Sequence, residues 1–79
     1  MFKITQLNVS PKNLDYPFGK LIAKITVTLN DQIIFYGIGV VQRDQELSLV
    51  GGGEYLIQKE TKKLIINEFK RSYKCQKTN

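Results

Sequence analysis

Residues 21–29 constrain the fold more than any other stretch. Leu21, Ala23, Ile25, Val27 and Leu29 alternate with Lys24, Thr26 and Thr28. Successive side chains of a strand point to opposite faces, so this alternation places an apolar row on one face and a polar row on the other. The β-branched content suits a half-buried strand. Asn30-Asp31-Gln32 supplies turn residues, and residues 33–42 follow as a second run that is apolar at both parities. A strand of that kind is expected in the middle of a sheet. Arg43-Asp44-Gln45-Glu46 turns the chain once more into residues 47–50. The three runs read as an antiparallel meander.

The flanks complete the outline. Phe2 and Ile4 share one parity and Leu7 and Val9 the other, so a strand over residues 2–9 changes face after Thr5-Gln6, as a β-bulge would require. Residues 10–20 carry Pro11, Asn13, Asp15, Pro17 and Gly19 and read as a loop. Gly51-Gly52-Gly53 interrupts the sheet pattern as a turn or hinge, and residues 54–58 fit neither period. Thr61 is a candidate cap for a helix over residues 61–75. At 100° per residue, Ile65, Ile66, Phe69, Ser72 and Tyr73 share an arc of about 120°. Leu64 falls outside that arc, as a dimer contact or an ordinary surface leucine. The expected fold is a single α+β domain: about four antiparallel strands (2–9, 21–29, 33–42 and 47–50) with one C-terminal amphipathic helix packed on them. Gly37 and Gly39, two apart in the third strand, are expected to leave a trough for the helical face of Ile65, Phe69 and Tyr73, or for a neighbouring subunit.

Composition narrows the chemistry. The chain has 79 residues, no histidine and one cysteine, Cys75. The commonest general base and the commonest metal ligand are therefore missing, and a lone cysteine makes neither an intrachain disulfide nor a zinc site. Asp31, Asp44 and Glu46 lie in expected turns and read as solvated turn residues. The triglycine is followed by Glu54-Tyr55-Leu56 rather than by the lysine and hydroxyl residue of a phosphate loop. No enzyme activity, metal or cofactor is expected. With no apolar run near the length of a membrane span and no leader-like segment, the expected location is the cytoplasm. An interfacial membrane helix would need Ile65, Ile66 and Phe69, which the sheet also needs.

Charge is distributed unevenly. Up to Gln58, five basic residues meet five acidic ones; from Lys59 onward seven meet two, so the net charge of +5 resides in the last 21 residues. Lys63, Lys70, Lys74 and Lys77 stand at i, i+7, i+11 and i+14, close to one line of the helix, with Arg71 beside them. Such a line can neutralise phosphates and release condensed counterions. Lysines act there as point charges, and Arg71 has a fork suited to a phosphate or a guanine edge. Solubility alone would also account for a lysine-rich helix surface.

The order of these pieces resembles the stage V sporulation protein G (septation regulator) family of small bacterial proteins. Residues 3–9, Lys-Ile-Thr-Gln-Leu-Asn-Val, are similar to that family's opening strand with its phase change. Residues 21–35 look like its hairpin. Ile38-Gly39-Val40-Val41 and Leu47-Ser48-Leu49-Val50 continue the likeness, and Ile65-Ile66-Asn67-Glu68-Phe69-Lys70-Arg71 resembles its C-terminal helix. The chain departs from the family pattern where Gly37 and Gly39 replace a charged pair. It departs again where Gly51-Gly52-Gly53 replaces a proline, and in a shorter stretch before the helix. The resemblance implies a homodimer and a regulator, acting on transcription, that binds DNA or RNA, with Lys70 and Arg71 as the matching contacts. Lys63, Lys74 and Lys77 join them on charge geometry. The alternative is a protein–protein interaction module, an inhibitor or adaptor from a mobile element. Such a module would use an open strand edge or the Leu64 patch to hold its partner.

Overall fold

The computed structural model describes the backbone of residues 2–77 and the side chains of residues 2–73. Four strands, β1 (Ile4–Tyr16), β2 (Gly19–Leu29), β3 (Ile33–Arg43) and β4 (Glu46–Val50), form one antiparallel sheet in the order β1-β2-β3-β4. A 3-10 turn at Glu54–Leu56 leads into the helix α1 (Lys59–Lys77), which covers one face of the sheet. The domain is therefore an α+β meander with one C-terminal helix. Among the described residues no helix is long and apolar enough to cross a membrane.

The inner face is set by strand parity and by the places where parity changes. Ala23, Ile25, Val27 and Leu29 of β2 are fully buried, as the alternation requires. On β1, Ile4 and then Leu7 and Val9 pack against this core, and the register shift between Ile4 and Gln6 marks the expected bulge at Thr5. The bulge has a local use. The Thr5 hydroxyl donates to the Thr28 carbonyl (3.2 Å) and accepts from the Asp31 amide (3.0 Å). That amide lies in the β2–β3 turn, where Asn30 and Asp31 both take left-handed φ (54° and 56°) and Gln32 N donates to Leu29 O. Asn30 closes the arrangement: its N–H donates to Lys3 O and its Oδ1 accepts from Lys3 N.

Two further parity changes differ from the sequence reading. In β3, Phe35 packs on the core and so do Ile38 and Val40, three and five residues on. The register shift opposite Ile25/Val27 and the φ of +68° at Gly37 identify a bulge, which only glycine adopts without strain. The strand is central as expected, its inward set switches at this bulge, and beyond it residues 38–41 are buried at both parities. In β2 a second shift, between Leu21 and Ala23, brings Ile22 into the core and turns Leu21 to the opposite face, where it is also fully buried. Gly39 also faces outward. A Cβ built on it would lie 2.9 Å from both Leu21 Cδ1 and Val50 Cγ2. The trough expected for the helix is instead occupied by these two side chains, and the space above Gly37 is open.

The expected loop over residues 10–20 is mostly strand. β1 continues through Ser10 and Pro11 to Tyr16, and only Pro17 and Phe18 turn the chain. Proline, asparagine and aspartate are tolerated because β1 is an edge strand, where a missing N–H faces solvent. A register shift between Pro11 and Leu14 absorbs Lys12 and Asn13. These same features protect a long edge from pairing with other chains.

The triglycine is a packed turn rather than a hinge. All three residues have φ between 61° and 83°, and Glu54 N donates to Gly51 O. A Cβ on Gly52 would lie 2.8 Å from Ile38 N and Tyr36 O, whereas one on Gly51 would meet nothing within 4 Å. Gly51→Ala is expected to cost only the left-handed penalty, about 1–2 kcal/mol. Gly52→Ala should cost clearly more, because it also pushes the turn off the β3 backbone. Urea-unfolding midpoints of the two variants measure the difference, and equal losses would contradict the close approach.

Candidate functional site

Helix α1 owes its position to a short apolar stripe. Ile65 and Phe69 are fully buried against the sheet, and Ile66 and Tyr73 pack beside them half-buried. The rings of Phe69 and Tyr73 stack with centroids 5.1 Å apart. One turn separates i from i+4, so this spacing lays three contacts along one side and leaves the other side to solvent. The helix begins at Lys59, ahead of the expected Thr61, with its first turn closed by Lys62 N donating to Gln58 O. Thr61 lies inside the first turn, half-buried.

A second tie holds the start of the helix. Lys62 Nζ lies 2.6 Å from Glu54 Oε2, an oxygen closed off from solvent, in an ionic contact across from the 3-10 turn. Lys62 is thus occupied within the protein and stands apart from the cationic line.

The residues singled out by charge fall as follows. Lys63 and Lys70 are exposed on the side of α1 away from Ile65 and Phe69. Arg71 is 80% exposed, and its Nη1 donates to Glu68 Oε1 at 3.3 Å. An exposed pair one turn apart contributes about 0.3–0.5 kcal/mol and yields to a stronger anion. Lys74 and Lys77 lie on the backbone of α1, but their side chains, with those of Cys75 and the segment after it, are outside the described residues. Lys63, Lys70 and Arg71 are therefore brought to one outward surface, with Arg71 partly neutralised by Glu68.

Leu64 is exposed, as its angle on the helix requires, and lines a groove with Phe2, Lys3, Ile4, Glu68 and Arg71. Lys3 thereby joins the helix cations from the far end of the chain. No local pattern signals this, because it follows from β1 packing beside α1. A second depression missed by sequence lies between the other flank of α1 and the β3–β4 hairpin, with Lys70, Gln42 and Gln45 among its lining residues. Among the described residues no three histidine, cysteine, aspartate or glutamate side chains gather as metal ligands would.

Comparison with known proteins returns no match: no family model, no curated protein and no solved structure is similar enough to the chain to report.

The two ion pairs of this region should differ in worth. Glu54→Gln is expected to destabilise the domain by about 1–2 kcal/mol, since it strips a half-buried ammonium of its charged partner. Glu68→Gln should change stability by less than about 0.5 kcal/mol. Chemical denaturation of both variants checks the ranking; a larger loss for Glu68→Gln would reverse it.

Proposed function

We propose that this chain is a small nucleic-acid-binding regulatory protein whose helix α1 meets the phosphate backbone through Lys63, Lys70, Arg71, Lys74 and Lys77. The observation that carries this reading is the segregation on α1. Ile65 and Phe69 are fully buried on one side, while Lys63, Lys70 and Arg71 are exposed on the other. The cations are free of the sheet, so they are available to a polyanion without unfolding anything. No exposed carboxylate other than that of Glu60 and the half-buried Glu68 stands among them on the described part of the helix.

Binding of this kind is electrostatic and weakly sequence-selective, with phosphate contacts setting position. A homodimer would present two such helices related by a two-fold axis and double the cationic surface. The resemblance to septation regulators agrees with that arrangement and with a role in transcription.

A second reading rests on a different observation. Tyr55 and Leu56, on the 3-10 turn, are 79% and 68% exposed and adjoin an apolar depression lined by Phe2, Ile33 and Phe35. This surface suits a protein partner, and an interaction module without nucleic-acid binding would use it. Pull-down from nuclease-treated lysate separates the readings, since a partner retained through Tyr55 and Leu56 after nuclease treatment favours the second.

Fluorescence anisotropy with labelled oligonucleotides across a salt series tests the lead. Four phosphates met per helix and two helices give an expected log–log slope of about −7 on duplex DNA. Replacing Lys63, Lys70 and Arg71 together by alanine should weaken binding at least about tenfold at low salt and flatten the slope, with a stability loss of no more than about 0.5 kcal/mol from the Arg71–Glu68 pair. Affinity that is absent at low salt, or indifferent to salt, contradicts the reading.

A further inference from the structure

The depression beside the cationic line has a distinct chemistry. It lies between the C-terminal half of α1 and the β3–β4 hairpin as an open-sided depression of about 340 Å³. Ile22, Leu47, Phe69 and Tyr73 supply its apolar lining, and the rings of Tyr73 and Phe69 stack on each other. Gln42, Gln45 and Lys70 also line it, and all three are exposed. No carboxylate is among its described lining residues. Gln42 Nε2 donates to the Asp44 carbonyl at 3.2 Å, which leaves its oxygen as an acceptor.

An apolar lining that includes aromatic rings suits a flat ring. Side-chain amides pair with the donor and acceptor edge of a nucleobase. An ammonium at the mouth meets a phosphate. The volume is at the small end for ligand sites, which suits one ring system. Lys70 belongs both to this cleft and to the line of cations on α1, so a backbone following that line would carry its bases past the opening.

We propose that the cleft receives one unpaired nucleobase per chain, and that the protein therefore prefers single-stranded nucleic acid to duplex. The inference rests on the nucleic-acid reading given above and adds the form of the ligand. In a duplex the base stays in its stack and cannot enter without being flipped out. In a single strand the base is free to stack on a protein ring, a contact that amounts to about tenfold in affinity per base.

The test uses the whole chain, a single-stranded oligonucleotide carrying 2-aminopurine, and the duplex of the same sequence, both at low salt. The single strand is expected to bind about tenfold more tightly, with strong quenching of the 2-aminopurine at saturation. Replacing both Gln42 and Gln45 by alanine, at exposed positions, should lower single-strand affinity severalfold and leave duplex affinity and the salt slope unchanged. A thermal melt of that variant verifies its fold. Equal affinity for both forms, with unchanged fluorescence on saturated protein, overturns the cleft and leaves the helix reading standing. Failure to bind either form overturns both.

Discussion

The contact between Phe69 and the inner face of the sheet organises this molecule. With Ile65 it joins α1 to a core drawn from β2, β3 and β4, including Ile22, Ile25, Val27, Ile38, Val40 and Leu49, against which Ile4, Leu7 and Val9 of β1 pack partly buried. Each of these side chains contributes on the order of 1.5–3 kcal/mol when fully buried. The main apolar face of the sheet needs a cover, and α1 is the only long helix among the described residues. The helix has little rotational freedom once Ile65 and Phe69 are seated. Lys63 and Lys70 must then point outward. The cationic surface is a consequence of packing on the opposite side, in the sense that one cannot be rotated without exposing the other.

The same packing explains why the strands need bulges. A strand of 11 or 13 residues that kept strict alternation would drift off a core that one helix of moderate length can cover. Bulges at Thr5 and Gly37, and a register shift between Leu21 and Ala23, switch which parity faces inward. Each increases local twist and keeps apolar side chains over the helix. Thr5 also ties the β2–β3 turn to β1 through its hydroxyl, so the irregularity both re-aims the strand and fixes its end.

Much of this was legible in the residues. Alternation marked β2, and the opposed parities of Phe2/Ile4 and Leu7/Val9 marked the first bulge. The angular sorting of Ile65 and Phe69 from Lys63 and Lys70 marked both faces of the helix. What escaped depended on contacts distant in sequence. Pro11, Asn13 and Asp15 carry turn propensity, but an edge position let β1 run through them. Apolar residues at both parities of β3 suggest burial on two faces, which holds over residues 38–41, but they give no sign that the inward set switches at Gly37. Leu21 follows the alternation of β2 by sequence and leaves it because Ile22 is taken into the core. The cleft of Gln42, Gln45 and Lys70 joins a hairpin to a helix and has no local signature. The placement of Lys3 beside Arg71 likewise arises only when β1 packs along α1.

Lysine footprinting tests the central claim most directly, because each amine reports for itself. The chain is treated with an amine-acetylating reagent, with and without a saturating oligonucleotide, and modification is read by mass spectrometry. The account predicts that Lys63 and Lys70 lose most of their reactivity on binding. Lys12 and Lys24, on the strands β1 and β2, should react unchanged. Protection of Lys12 and Lys24 with Lys63 and Lys70 still fully reactive would place the polyanion on the sheet and contradict the account.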